Sequence, residues 1–274
     1  MNLRTCLLTK NECFQRGVKI KPVGVMVHST GANNPYLKRY IQPDDGLLGK
    51  NSNGNHWNQF RPAGRQVCVH AFIGKLADGT IATYQTLPWN MRGWHSGVGG
   101  KGSANDRGYI GFEICEDGLT DRAYFNKVYR EAVELTAHLC EVYKLDPQKD
   151  GVVICHAEGH QRGIASNHGD VMHWFPKHGK TMNDFRADVA AEMGKENDLD
   201  MSIDEMIEKM TAKQAYQLLE KASAHAATLP EPEWSKKEGH WGKAAAAGIV
   251  DGTAPERPVK RDELAAILGR KGLL

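Results

Sequence analysis

The sequence predicts an α/β fold, a central β-sheet flanked by helices, followed by a small helical C-terminal module. Three observations carry that expectation. Short runs of strand character (VGVMVHST, VCVHAFIGKLADGTIATYQ, YIGFEI and GVVIC) recur through the first part of the chain. A long amphipathic pattern separates the last two. From Gly194 onward the composition shifts to polar, helix-favouring residues and then to a Pro-rich break. A chain of 274 residues has room for one domain of roughly 150–200 residues and an appendage. We place the α/β domain at 1–195, a helical linker at 196–230 and the module at 231–274.

Each element has its own signal. Val23, Val25 and Val27 alternate with other residues at the period of a half-buried strand, which breaks into polar STGANN directly after His28. His28 is therefore expected at a strand end. Asp78-Gly79 marks a hairpin within the second run, and YIGFEI and GVVIC read as buried strands. Phe125, Val128, Tyr129, Ala132, Leu135, Thr136, Leu139, Val142 and Tyr143 recur at helical spacing up to Asp146-Pro147. This helix is expected to cover one face of the sheet. A second helix is expected from about Asn183, carrying Phe185, Val189 and Met193. Capping-box patterns at Ser202 to Glu205 and Thr211 to Gln214 mark the linker as helical. The last segment, of about 40 residues, is too small to be robust alone, so docking or oligomerisation is expected of it.

Composition excludes several classes. The 35 basic and 33 acidic residues nearly balance, and no block of like charge forms a nucleic-acid footprint. Six scattered cysteines, without C-x-x-C pairing, read as reduced and mostly buried thiols. The N-terminal MNLRTCLLTKNECFQRGVKI has no apolar signal region, and no apolar run is long enough for a membrane span. Synthesis in the cytoplasm is expected, with another exit route for any role outside.

The chemistry concentrates in ICHAEGHQRGIASNHGDVMHWFPKHGK, residues 154–180, which holds five histidines. A catalytic zinc takes three protein ligands and keeps a fourth position open. His28 and His156, each just after a strand, together with Asp170 from the loop, supply a two-histidine, one-carboxylate set. By spacing alone, a solvated loop or hydrogen-bonded scaffold fits these histidines as well.

The blocks VMVHSTG, VHAFIGKLADGTIATYQ, WHSG, YIGFEIC and CHAEGHQRGIASNHGD occur in the order seen in the zinc-dependent N-acetylmuramoyl-L-alanine amidases. Over about residues 20–190 the chain resembles this amidase-2 family, which is related to peptidoglycan recognition proteins and phage amidase lysozymes. The resemblance implies a central mixed sheet flanked by helices, zinc as cofactor and peptidoglycan as partner, with hydrolysis of the bond between N-acetylmuramic acid and L-alanine. It implies His28, His156 and Asp170 as zinc ligands, with His160, His168 and His173 as rival donors for the third place. Glu113 matches the glutamate that orients or deprotonates the attacking water, its alternative being an ion-paired strand carboxylate. His168 stands where many relatives have a lysine and would stabilise the oxyanion, or else support a ligand. His70, Trp94 and His95 match blocks lining the cleft and are the expected substrate-binding residues, with packing roles as the alternative. Gly-rich GVGGKGSAND reads as a cleft-edge loop, not a nucleotide site.

WGKAAAAGIVDGTAPERPVKRDELAAIL resembles one S-layer-homology-type repeat, with Lys260 where a small hydroxyl residue is usual. That implies attachment to a secondary cell-wall polymer, with a stabilising or oligomerising module as the alternative. Together these features imply an endolysin or prophage autolysin that acts at the wall after release by a holin or lysis. A non-catalytic peptidoglycan-binding protein on the same fold, or a structural phage-particle protein, are the competing readings.

Overall fold

The computed structural model describes residues 1–199, 210–231, 233–250, 253, 264, 265, 267 and 268. The Ser202 to Glu205 cap, Lys260 and most of the repeat-like segment after Val250 lie outside the described residues. The chain divides into two compact units, 1–199 and 200–274.

In the first unit the elements run β1 (Leu3–Thr5), α1 (Glu12–Arg16), β2 (Gly24–Ser29), β3 (Ala71–Lys75), β4 (Ile81–Gln85) and α2 (Ala104–Arg107). They continue with β5 (Tyr109–Ile114), α3 (Arg122–Tyr143), β6 (Val153–Cys155), α4 (His156–Gln161) and α5 (Met182–Leu199). Six strands form one mixed sheet in the order β1-β4-β3-β5-β2-β6. Only the β3–β4 hairpin is antiparallel among these pairings. Its turn spans residues 76–80, and Gly79, at φ 86°, takes the left-handed conformation the turn requires.

The pleat decides which side chains reach the site. Val25 and Val27 of β2, with Ile110, Phe112 and Ile114 of β5, pack beneath α3 and α5. Alternation sends Met26, His28, Gly111 and Glu113 to the opposite face. Strand β2 is buried at all six positions and not at alternate ones. It lies between β5 and β6, with side chains packed on both faces, so a period-2 pattern understates its burial.

Helix α3 begins where Asp121 accepts hydrogen bonds from the amides of Ala123 and Tyr124, a cap worth about 1 kcal/mol. Phe125, Leu135 and Leu139 then enter the core, joined by Phe185 and Val189 of α5. Strand β1 and helix α1 are both too short for a hydrophobic period to show. Spacing also misread two cysteines. Cys13 and Cys68 form a disulfide across 55 residues, invisible to any C-x-x-C test because α1 meets the loop before β3 only in the fold. Cys115, Cys140 and Cys155 are buried thiols and Cys6 a half-buried one.

The second unit contains α6 (Ala212–Ala226), α7 (Glu233–Glu238) and α8 (His240–Ala246). Thr211 and Gln214 form the capping box that starts α6. No helix among the described residues is long and apolar enough to cross a membrane.

Candidate metal centre

Parallel pairing assembles the site at the carboxyl ends of three neighbouring strands. His28 and Glu113 are register partners on β2 and β5. Val27 pairs with Cys155 on β6, so the next residue, His156, arrives level with His28. Cys155 begins α4, whose first turn is tied back by Glu158 accepting from the Cys155 amide at 3.0 Å. Arg186 of α5 grips that carboxylate at 3.1 Å, so Glu158 serves α4 and not the cleft.

Asp170 closes the site from a 3-10 turn. Its φ of 44° is left-handed, a conformation that aspartate tolerates better than most residues. There its Oδ2 lies 3.0 Å from His28 Nδ1 and 2.9 Å from His156 Nδ1. The two Nδ1 atoms are 3.2 Å apart. A tetrahedral zinc bound at about 2.0–2.1 Å from each donor would separate its ligands by about 3.3 Å. The observed triangle is within a few tenths of an ångström of that size, and its donor types suit the ion. His28, His156 and Asp170 therefore form a group that could hold a metal.

Charge follows the same geometry. Burial pushes the Asp170 carboxyl upward, but the imidazoles of His156 and His28 facing it outweigh that and hold it well below the usual carboxylate range. Burial lowers His28, against the pull of Asp170. Glu113 goes the other way. Burial first, then the charges of Asp170 and Glu116, raise it well above an ordinary glutamate. Its Oε2 is buried with no hydrogen-bond partner among the described residues, and its side chain lines the cleft beside His28. The expected alternative, a basic ion-pair partner, has no counterpart in the ion pairs of the described residues.

The cleft holds about 480 Å³ and is bordered by Trp57, Arg65, Trp94 and His168 among others. His168 is outside the triangle: its Nδ1 contacts Ser166 Oγ at 3.1 Å, and its ring centroid lies 4.8 Å from that of His156. Trp94 lines the cleft, with Arg92 over its ring. His95 also borders it, yet both ring nitrogens turn to other partners, His28 and the Tyr109 carbonyl. His70 is fully buried, its Nε2 2.7 Å from the Met91 carbonyl, which places it behind the site and outside the residues that line the cleft. Burial pushes its imidazole down to about 4.

The remaining histidines of the loop have separate duties. His160 contacts the Ala165 carbonyl, His173 meets Glu116, and His178 stacks on Phe125. Trp174 is entirely buried in the core, and Trp89 packs against it. The Gly-rich stretch is pinned at the cleft edge, where the Lys101 amide donates to Gly163 and the Ala104 amide to Ile164. Sequence reading missed Ser166, which lies against both His156 and His168. A lone serine in a polar loop carries no signal of its own.

Residues 19–177 match the amidase-2 family, described as N-acetylmuramoyl-L-alanine amidase. The chain belongs to this family. It is an amidase-type peptidoglycan hydrolase by that membership, on a mixed sheet flanked by helices. Among solved structures it is similar to PlyL, at 16% identity and TM-score 0.46, covering 69% of this chain and 96% of that one. It is also similar to the catalytic domain of XlyA, at 20% identity and TM-score 0.46, covering 69% and 99%. A third is the Staphylococcus aureus hydrolase AmiA in complex with its ligand, at 18% identity and TM-score 0.45, covering 72% and 84%. No curated protein matches the sequence.

Proposed function

We propose that this amidase is zinc-dependent and cuts the amide between the lactyl group of N-acetylmuramic acid and L-alanine. The observation that carries the reading is the convergence of His28 Nδ1, His156 Nδ1 and Asp170 Oδ2 beside an unpartnered Glu113 carboxylate oxygen. His28, His156 and Asp170 would hold the ion. Zinc supplies Lewis acidity, which polarises a carbonyl and makes water more acidic.

The protein's own groups then move the protons. Glu113, in its ionised form, takes a proton from the attacking water as the new C–O bond forms. His168 donates a hydrogen bond to the oxygen on which negative charge develops. As the C–N bond breaks, Glu113 returns its proton to the departing amine. The products are a free lactyl carboxylate and the free α-amino group of L-alanine. Trp94 supplies an apolar wall for the substrate.

Residues 1–195 serve as the catalytic domain in this reading, 196–230 as linker and 231–274 as a wall-binding or oligomerising module, and the protein acts at the cell wall as an endolysin or autolysin. The test is release of L-alanine amino termini from purified cell wall, measured alongside zinc content. Cleavage that proceeds undiminished without metal would overturn the zinc-dependent reading.

A further inference from the structure

The proposed chemistry uses Nδ1 of His28 and leaves its other ring nitrogen unexplained. That atom, Nε2, points into the protein and lies 2.9 Å from His95 Nδ1. On the far side of the His95 ring, Nε2 lies 3.2 Å from the main-chain carbonyl oxygen of Tyr109. A carbonyl oxygen has no proton to give, so the hydrogen in that contact belongs to His95 Nε2. A neutral imidazole carries one N–H, which leaves His95 Nδ1 as an acceptor. The proton between the two rings therefore sits on His28 Nε2. With that proton on Nε2, a neutral His28 has a bare lone pair at Nδ1, which lies 3.2 Å from His156 Nδ1 and 3.0 Å from Asp170 Oδ2.

From this chain of donors we infer that His95 is a positioning residue, holding His28 in the Nε2–H form with Nδ1 open for metal, and that the Tyr109 carbonyl is its fixed end. The inference rests on the reading of His28, His156 and Asp170 as a metal site. A hydrogen bond to the distal nitrogen of a ligand histidine orients the ring and selects its tautomer.

The surroundings of His95 are built to hold it. Its backbone amide donates to Asn105 Oδ1 at 2.8 Å, and Asn105 is fully buried. Its ring fills the space above Gly111, where a Cβ would come within 2.4–2.5 Å of three ring atoms. Gly111 pairs with Met26, two residues before His28 on β2. The missing side chain on β5 thus provides the seat from which His95 reaches His28. The second ligand follows the same rule. Ser166 Oγ donates to the Ser96 carbonyl at 3.2 Å and can accept from His156 Nε2 at 3.3 Å. His70 takes no part, because the Gly111 amide donates to its Nδ1 at 3.0 Å, and it forms a wall against the His95 ring.

The test uses the full chain, with zinc affinity read by chelator competition and proton positions by ¹⁵N NMR of the histidine rings. In wild-type protein the expected result is nitrogen–nitrogen coupling across the hydrogen bond between His28 Nε2 and His95 Nδ1, with the proton on His28. His95→Leu and Gly111→Ala are expected to weaken zinc binding about 10–100-fold while binding one ion. His95→Gln, whose Oε1 can accept the same proton, is expected to recover most of the loss. A proton on His95 Nδ1, or a folded His95→Leu protein with wild-type zinc affinity, would overturn the inference. If wild-type protein takes up no zinc, the metal-site reading fails, and the proton position between His28 and His95 still decides this one. If His95→Leu does not fold, Gly111→Ala and the wild-type spectrum decide it.

Discussion

His28 and Glu113 sit opposite one another in parallel register at the carboxyl ends of β2 and β5. Two residues with opposite chemical duties are thereby fixed by the sheet and not by loops: one offers a lone pair to the triangle, the other a carboxylate to the cleft.

Glu113→Gln removes the proposed base without changing its volume. Catalysis is expected to fall about 10²–10⁴-fold with zinc content unchanged. Stability is expected to move the other way. Because the folded state raises the Glu113 pKa above its unfolded value, the neutral carboxyl stabilises the metal-free fold below the unfolded pKa, and that contribution is lost as pH rises through the folded pKa. The glutamine side chain does not ionise. Melting of metal-free protein from pH 4 to pH 8 should show the variant gaining on wild type as pH rises, and parallel curves would contradict the burial argument.

Asp170→Asn and His168→Ala separate the rival third ligands. Asparagine keeps the shape and tolerates the left-handed φ of 44°, but it loses the charge held by His28 and His156. Zinc is expected to be lost from Asp170→Asn and retained in His168→Ala, which should still lose activity. Metal analysis after gel filtration gives the answer, and the reverse pattern would make His168 the ligand.

Breaking the Cys13–Cys68 bond should cost stability. Closing a loop of this span, 55 residues apart, is worth about 4 kcal/mol in the chain-entropy picture. The Cys13→Ala, Cys68→Ala double variant is expected to unfold at lower denaturant. Thiol titration of unreduced, unfolded wild type should find the four cysteines outside the bond, Cys6, Cys115, Cys140 and Cys155. Six reactive thiols would mean that the bond does not form.

Much of the architecture was legible because it is local. The valines before His28, the apolar run before His156 and the stripe of α3 each declare an element, and the strand ends placed both histidines. Long-range features were less legible. The roles of His70 and His95 depend on which carbonyls, Met91 and Tyr109, lie beside their rings, and no spacing records that. Gly111 reads as a plain strand residue until the His95 ring is found above it. The Cys13–Cys68 pair is hidden for the same reason, being a contact that only the folded sheet creates.

The most direct measurement is zinc stoichiometry together with release of L-alanine amino termini from purified cell wall, for wild type and His28→Ala side by side. One zinc and sustained release are expected for wild type, with both lost in His28→Ala while the fold remains. Metal-free wild type that still cleaves, or a His28→Ala protein that cleaves at the wild-type rate, would contradict it.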